Sequence, residues 1–365
     1  MRLGLVLYGS LEIITGGFLY DRILVEYLRR QGDEVEVISI PWHGYGRGLL
    51  VNFSATWLRR LSRASFDVLL QDELAHPSLF RLNRRLKRLR PYPLVSIVHL
   101  LRATEERPAW QNRLYREVER RYLDSVDGFV FTTRQVGHLV EGLVGRGRPA
   151  VLAYPAGNRF SRSLTPAEIA ARAQRPGPLQ VLFLANLIPR KGLHALLEAL
   201  AALPRESWRL TVAGNLAMAP AYVQAIRRQI NRLGLAEKVT LRGLLVGEAL
   251  AACLARSHLL AVPSYMEGLP LAFLEGLGFG LPVIAGAGGG TGEVITHGQE
   301  GFLVKPGDTA ALTLYLNRFL ENREQLAEMS LAAQARYEAH PTWDQTCAQV
   351  RRFLQDVLRG GDRGL

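Results

Sequence analysis

The sequence predicts an α/β protein built from two doubly wound domains. Three observations carry that expectation. Short apolar runs recur between segments of helical period, the chain has 365 residues, and a second strand–helix series opens after residue 178. Strands alternating with helices imply parallel sheets covered on both faces. A chain of this length exceeds one typical core, so two domains of similar size are expected.

The elements follow in order. Leu3–Tyr8 is apolar enough for a buried strand, Phe18–Arg30 has helical period, and Glu34–Ile40 alternates as a strand. Phe66–Gln71, Leu94–His99, Phe129–Thr132 and Val151–Tyr154 read as further strands. Residues 161–178, SRSLTPAEIAARAQRPGP, are rich in Pro, Arg and Ala and read as a linker with a short helix. The second series has strands at Leu179–Leu184, Arg209–Ala213, Val239–Leu241, Leu259–Val262 and Pro282–Ala285, with helices at Gly192–Leu203 and Ala221–Leu233. One helical stretch, Thr309–His340, and a last helix, Trp343–Leu358, close the chain. The expected division is 1–160 for the first domain, 161–178 for the linker, 179–340 for the second domain and 341–365 for the final helix. Ligands of such sheets bind beyond the carboxyl ends of the strands, so two facing sheets define one cleft.

Composition narrows the function. Hydrophobic residues make up 48% and charged residues 21%, which fits a well-cored globular protein. Cys253 and Cys347 are the only two cysteines, too few for a disulfide framework or a metal cluster, and they point to a reduced, cytoplasmic setting. No apolar stretch reaches the roughly 18 residues that span a bilayer, and the N-terminus reads as a strand rather than a signal peptide. The net charge of +12 suits nucleic acid, anionic lipid or an acidic substrate. No zinc-finger spacing or RNA-recognition aromatic signature occurs, which argues against nucleic acid. The run Arg81-Leu-Asn-Arg-Arg-Leu-Lys-Arg-Leu-Arg90 carries six basic residues in ten, with Leu82, Leu86 and Leu89 at helical spacing. It reads either as a peripheral contact with an anionic membrane surface or as a helix packed on the sheet with its cations solvated.

Residues 263–293, PSYMEGLPLAFLEGLGFGLPVIAGAGGGTGE, carry the chemistry. Pro270 follows Gly268-Leu269, so a helix can start there with proline in its first turn. The loop before it feeds a helix N-terminus, where free N–H groups and the helix dipole attract anions. Glu267 lies in that loop and Glu275 on the helix. A carboxylate beside an anion site needs hydroxyl donors, and sugar hydroxyls are such donors. The pattern therefore suggests a phosphate and a polyol held together, as in a nucleotide-sugar. The glycine run Gly286-Ala-Gly-Gly-Gly290 strengthens that reading.

The pieces Pro263-Ser264, Glu267-Gly268-x-Pro270, Glu275, Gly280-x-Pro282-Val283-x-Ala285, Gly289-Gly290-x-x-Glu293-x-Ile295 and Gly301-x-Leu303-Val304 resemble the retaining glycosyltransferases of family 4 (glycosyl transferases group 1). The resemblance extends from Gly16-Gly17 to Trp343. It implies the GT-B fold, two Rossmann-like domains facing a cleft, with the last helix crossing back to the first domain. It also implies transfer of a sugar from a nucleotide-diphosphate sugar to an acceptor with retention of configuration. Glu275 would then hold the ribose hydroxyls and Glu267 the donor sugar, with Gly268 and Leu269 as nearby backbone donors.

Other residues extend the site. Lys191, with Arg190, sits at a helix entrance in Asn186-Leu-Ile-Pro-Arg190-Lys191-Gly192 and is placed to neutralise a diphosphate. The family usually reads Gly-Arg followed four residues later by Lys-Gly. Asn186 occupies the arginine position here, and Arg190 replaces a usual acidic residue as a substitute second cation. The segments Tyr8-Gly-Ser10 and Ile14-Thr-Gly16-Gly17 lie between strand and helix, and the pair Gly16-Gly17 permits close backbone approach to a ligand. The resemblance makes Gly16 and Gly17 neighbours of the donor phosphates or the acceptor, and makes His99 a contact of the transferred sugar. Asp72, Glu73 and His76 follow a strand and read either as the acceptor half of the cleft or as a capped helix start. No Asp-x-Asp motif occurs, so transfer without metal or other cofactor is expected. The acceptor expected is a glycan or glycolipid, including a lipid-linked or envelope glycan. A nucleotide-sugar epimerase of the same architecture and a non-catalytic sugar-nucleotide or anionic-polymer binder are the alternatives.

Overall fold

The computed structural model describes residues 1–13, 15–89, 92–105, 107–160 and 164–361. Ile14 of the first glycine loop, Arg90 of the basic run and residues 161–163 of the expected linker lie outside the described residues. The chain divides into two compact units, Met1–Pro155 with Thr342–Leu365, and Ala156–Pro341.

Unit 1 is built on six parallel strands: β1 (Arg2–Tyr8), β2 (Glu34–Ile40), β3 (Val68–Asp72), β4 (Leu94–Val98), β5 (Gly128–Phe131) and β6 (Ala150–Leu152). They run in the order β2-β1-β3-β4-β5-β6. The central strands are apolar along their length because helices cover both faces, and Leu5, Val6 and Leu7 are fully buried. The chain goes outward from β1 to β2 and returns to β3 on the other side of β1. That reversal opens a crevice at the carboxyl ends of β1 and β3. The helix Trp343–Gly361 belongs to this unit. Trp343 stands edge-on to Tyr20 with ring centroids 5.6 Å apart, and the Arg351 guanidinium pairs with buried Asp33 at 2.7 Å. The N-terminal ammonium also reaches Asp33, at 2.8 Å.

The basic run lies partly in the helix His76–Leu86. Leu82 and Leu86 are buried in the unit 1 core, while Leu89 is exposed. Arg84 pairs with Asp124 at 3.4 Å and Lys87 with Asp127 at 2.5 Å. Most of the stripe therefore packs inward, and its cations are partly neutralised. Among the described residues no helix is long and apolar enough to cross a membrane.

Unit 2 repeats the plan with β7 (Leu179–Leu184), β8 (Trp208–Ala213), β9 (Val239–Gly243), β10 (Leu259–Val262), β11 (Val283–Gly286) and β12 (Gly301–Val304). All pairings are parallel, in the order β12-β11-β10-β7-β8-β9. The strand order reverses between β7 and β10, so the loops after these two strands meet at the crevice.

Three expectations need correction here. The expected linker contains a packed helix of unit 2, Pro166–Gln174, opened by a capping box between Thr165 and Glu168. Its Arg172 is buried and donates to the carbonyls of Phe279 and Gly280 at 2.8 and 2.7 Å. The helical stretch from Thr309 is two helices, Thr309–Glu321 and Arg323–Glu338, broken at Asn322, whose side chain caps the second by accepting from Gln325 N–H. The strand Gly301–Val304 was not anticipated as a strand.

Candidate functional site

In unit 2 the two loops at the strand-order reversal bring opposite charges together. The Asn186–Lys191 loop follows β7 and ends in a 3₁₀ turn, Pro189–Lys191. Gly192 then takes φ +74°, and a Cβ there would strike the Pro263 carbonyl of the loop after β10. Only glycine lets the loops approach this closely. Lys191 Nζ lies 2.5 and 2.7 Å from the two carboxylate oxygens of Glu267. Arg190 donates to the Met266 carbonyl and lies 3.5 Å from Glu267 Oε2. Glu267 is 4% exposed. Burial pushes its pKa up, but Lys191 and Arg190 outweigh that and hold it below the usual carboxylate range.

The glycine run supports this loop from below. Gly289 has φ +77°, and a Cβ on it would strike the Glu267 carbonyl. Gly290 N–H donates to the carbonyls of Glu267 and Gly268, both at 3.1 Å. The N–H groups of Gly268 and Leu269 donate to nothing among the described residues. They precede the helix Leu271–Gly278, which begins one residue after Pro270. Glu275 sits on that helix, 4% exposed, and pairs with Arg159 at 2.5 Å. Burial raises its pKa, with Arg159 opposing. Asn186, at the position of the expected arginine, instead accepts from Asn215 N–H at 3.4 Å and ties two loops together.

In unit 1 the helix Gly16–Arg30 starts at the β1/β3 reversal, capped by the Thr15 hydroxyl, which accepts from Phe18 N–H at 3.4 Å. His99 follows β4, and its ring lies against Gly17, where a Cβ would come within 3.3 Å of His99 Cδ2. His99 Nε2 is 3.3 Å from Asp21 Oδ1, one turn into the helix. Burial alone would lower the His99 pKa, but Asp21, Asp72 and Glu73 together raise it. Tyr20 stands edge-on to the ring at 5.2 Å.

Behind His99 lies a buried acidic network. Asp72 Oδ1 accepts from Leu74 N–H at 2.9 Å, capping the turn Glu73–Ala75, while Asp72 Oδ2 and Asp21 Oδ2 are buried with no hydrogen-bond partner. Asp72 is pushed up to about 8, first by burial and then by Asp21. Glu73 and Glu119 are each pushed up to about 8, mainly by burial. His76 Nδ1 lies 3.0 Å from the Glu73 carbonyl, which can only accept, so Nδ1 donates. Nε2 is then the acceptor for the Tyr45 hydroxyl at 3.1 Å. Burial lowers the His76 pKa to about 4, which keeps that neutral tautomer.

Of the residues expected on the acceptor side, Asp72, Glu73 and His76 are at most 1% exposed. Asp72 serves as the cap of a turn, the alternative reading of the same residues. Two groups, Asp21 with Asp72 and His99, and Glu73 with His76 and Glu119, each gather their donor atoms within 4.8 Å. The sequence shows no metal-ligand spacing because these residues come from separate elements. Arg159, Asp21 and Glu119 were also missed. Arg159 and Glu275 are 116 residues apart, and the one local signal was Gly157-x-Arg159 just past a strand. Gly157 packs on the Leu274 backbone, which leaves no room for a Cβ.

Both units resemble known proteins. Residues 166–336 match the family "Glycosyl transferases group 1", and residues 15–155 match "Glycosyl transferase 4-like domain". A GDP-mannose-dependent α-(1-6)-phosphatidylinositol monomannoside mannosyltransferase of Mycobacterium tuberculosis is 30% identical over 191 residues, 50% of this chain and 48% of that protein. The chain thus spans about half the length of the curated relatives it matches. Among solved structures, sucrose-phosphate synthase from Thermosynechococcus elongatus superposes with a TM-score of 0.84 at 20% identity, covering 99% of this chain and 100% of that one. HepE of Anabaena, in complex with UDP and glucose, gives a TM-score of 0.78 at 21% identity, covering 98% and 100%. At these identities the two structures establish the fold.

Proposed function

The chain belongs to the group 1 glycosyltransferases, and we propose that it moves a sugar from a nucleotide-diphosphate sugar to a glycan or glycolipid acceptor, with retention of configuration and without a metal ion. The observation that carries this reading is the convergence in unit 2. Lys191, buried Glu267 and the open N–H groups of Gly268 and Leu269 meet at one strand-order reversal. A diphosphate draws on Lys191 and the N–H groups, which stabilise it as a leaving group. Released from Lys191, the Glu267 carboxylate can accept from donor-sugar hydroxyls. Glu275 takes the ribose, and His99 serves the transferred sugar. Arg190 supplies further positive charge beside Glu267.

The acceptor is the less specified half. A lipid-linked or envelope glycan is supported by the phosphatidylinositol mannoside in the name of the mycobacterial relative. Exposed Leu50, Phe53, Trp110 and Leu114 of unit 1 also suit a peripheral contact with an anionic bilayer. Flotation with anionic liposomes at low salt, lost at high salt, is the expected behaviour. Absence from the floated fraction at low salt would leave a non-lipid acceptor.

A thermal-shift series with UDP, GDP, ADP and their sugars tests the donor site. Saturation at 100-fold Kd adds about 2.7 kcal/mol of stability. Glu275→Ala should weaken the cognate donor about ten- to a hundredfold, the loss of a charge-assisted contact. Turnover should persist in EDTA, and loss restored by a divalent ion would bring the two carboxylate–histidine groups of unit 1 into the mechanism. Conversion of donor alone into its epimer, with no transfer, would replace this reading by the epimerase one.

A further inference from the structure

Unit 2 holds a second concavity, remote from Lys191 and Glu267 in the sheet. Gln180 and His258 border it at the amino ends of β7 and β10, whereas the donor loops follow the carboxyl ends of those strands. The cavity has a volume of about 410 Å³, within the range of small-ligand sites. Its walls carry Arg175, Arg242 and Arg256 and no carboxylate. None of the three guanidiniums has an ion-pair or hydrogen-bond partner among the described residues. Elsewhere in the same unit Arg159, Arg190, Arg209 and Arg336 each reach a carboxylate. Three like charges gathered around one hollow repel each other, and a multivalent anion relieves that repulsion.

Two further features define the ligand. Thr211 and Thr240 are register partners on β8 and β9, and both line the cavity with side-chain hydroxyls that have no partner among the described residues. His258 is buried; its Nδ1 accepts from Gln180 N–H at 3.0 Å and faces an Arg323 guanidinium nitrogen at 3.3 Å. That arrangement keeps the ring neutral, and burial with the surrounding arginines lowers its pKa to about 4. No Phe, Tyr or Trp lines the cavity, and the buried His258 ring is the one aromatic group in its wall.

We propose that this hollow is a binding site for a small phosphate-bearing molecule with a hydroxylated body, separate from the donor site and not required by it. The guanidiniums take the phosphoryl oxygens as paired donors, and the two threonine hydroxyls take the polar body.

Isothermal titration of the full chain with pyrophosphate tests the assignment, using Arg242→Glu and Arg175→Glu for this site and Lys191→Ala for the donor site. Both arginines are exposed, so their substitution should leave folding intact, as circular dichroism will check. The expected result is a pyrophosphate-binding step that weakens about tenfold or more in each arginine variant and persists in Lys191→Ala. Binding abolished by Lys191→Ala and unchanged by Arg242→Glu would place the anion in the donor site alone and overturn the proposal. So would the absence of pyrophosphate binding, including the case in which only a long polyanion such as heparin binds.

Discussion

Both units bury carboxylates at the place where their strand order reverses, and they stabilise them by opposite means. In unit 2, Glu267 is held charged by Lys191 at 2.5 Å and Arg190 at 3.5 Å, which keep it below the usual carboxylate range. In unit 1, Asp72, Glu73 and Glu119 lie among one another and near two histidines, and burial pushes each up to about 8. Unit 2 neutralises charge with charge, and unit 1 neutralises it with protons. The first arrangement suits a site that receives an anion, because the cations are in place and exchange one negative partner for another. The second suits a rigid support, since buried carboxyls that keep their protons present no charge to solvent.

The sharpest way to break the comparison is to remove the cation. Lys191→Met leaves Glu267 buried beside a weaker partner, and losing one member of a buried pair costs about 3–5 kcal/mol. Arg190 at 3.5 Å and protonation of Glu267 place the expected loss near the lower bound. Adding Glu267→Gln in the same chain should restore most of it, because the stranded charge is gone. Urea unfolding of the four proteins in the cycle measures this. A cost below about 1 kcal/mol for Lys191→Met would mean that Glu267 does not depend on its partner, and unit 2 would then resemble unit 1.

The same contrast explains what the sequence revealed. Buried parallel strands are nearly uninterrupted apolar runs, so Leu179–Leu184 and Leu259–Val262 stand out with their observed ends, while the edge strand Glu34–Ile40 stands out by its alternation. The Lys191 and Glu267 loops are legible because glycine and proline punctuate them. Their meeting required the strand order, which no local pattern contains. The network of unit 1 is less legible still. Glu73 and Glu119 look like any surface acids, and only tertiary burial turns them into proton carriers. One misreading was local and avoidable: Asn322 is a helix cap inside the supposed single helix. The short helix expected in the linker is present, opened by the capping box of Thr165 and Glu168.

A smaller effect is expected from Asp21→Asn. Asp21 Oδ1 faces His99 Nε2 at 3.3 Å and helps to raise the His99 pKa. A charge-assisted bond contributes about 1.5–3 kcal/mol, and the neutral amide retains part of that. The His99 ring titration, followed by NMR, should move toward lower pH. A raised His99 pKa contributes stability that is present below the ordinary histidine range and lost as pH rises through the folded value. That contribution should shrink in the variant. An unmoved titration would detach His99 from Asp21 and leave its orientation to Gly17 and Tyr20.

The last and most discriminating variant is Asp72→Asn, whose effect depends on pH. Asp72 is held at about 8, so the folded protein keeps a proton that the unfolded chain releases near pH 4. Between those values the folded state binds more protons, and stability falls as pH rises through the window. Glu73 and Glu119 act in the same direction. His76, lowered to about 4, acts oppositely but only below its unfolded value of about 6.5. Above pH 6.5 these unit 1 terms therefore all lower stability, while Glu267, already ionised, contributes no change. An asparagine at position 72 can still accept from Leu74 N–H, yet has no proton to lose. The variant should match the wild type within about 1 kcal/mol near pH 4, at the lower edge of the window, and become the more stable of the two as pH rises through the window to 9. Hydrogen exchange at the amides of β3 and β10 assigns the change to a unit, with the pH-dependent loosening expected at β3 alone. Equal loosening at β10, or a wild type that holds its stability to pH 9, would show that the unit 1 carboxylates are already charged, and the distinction between the two units would collapse.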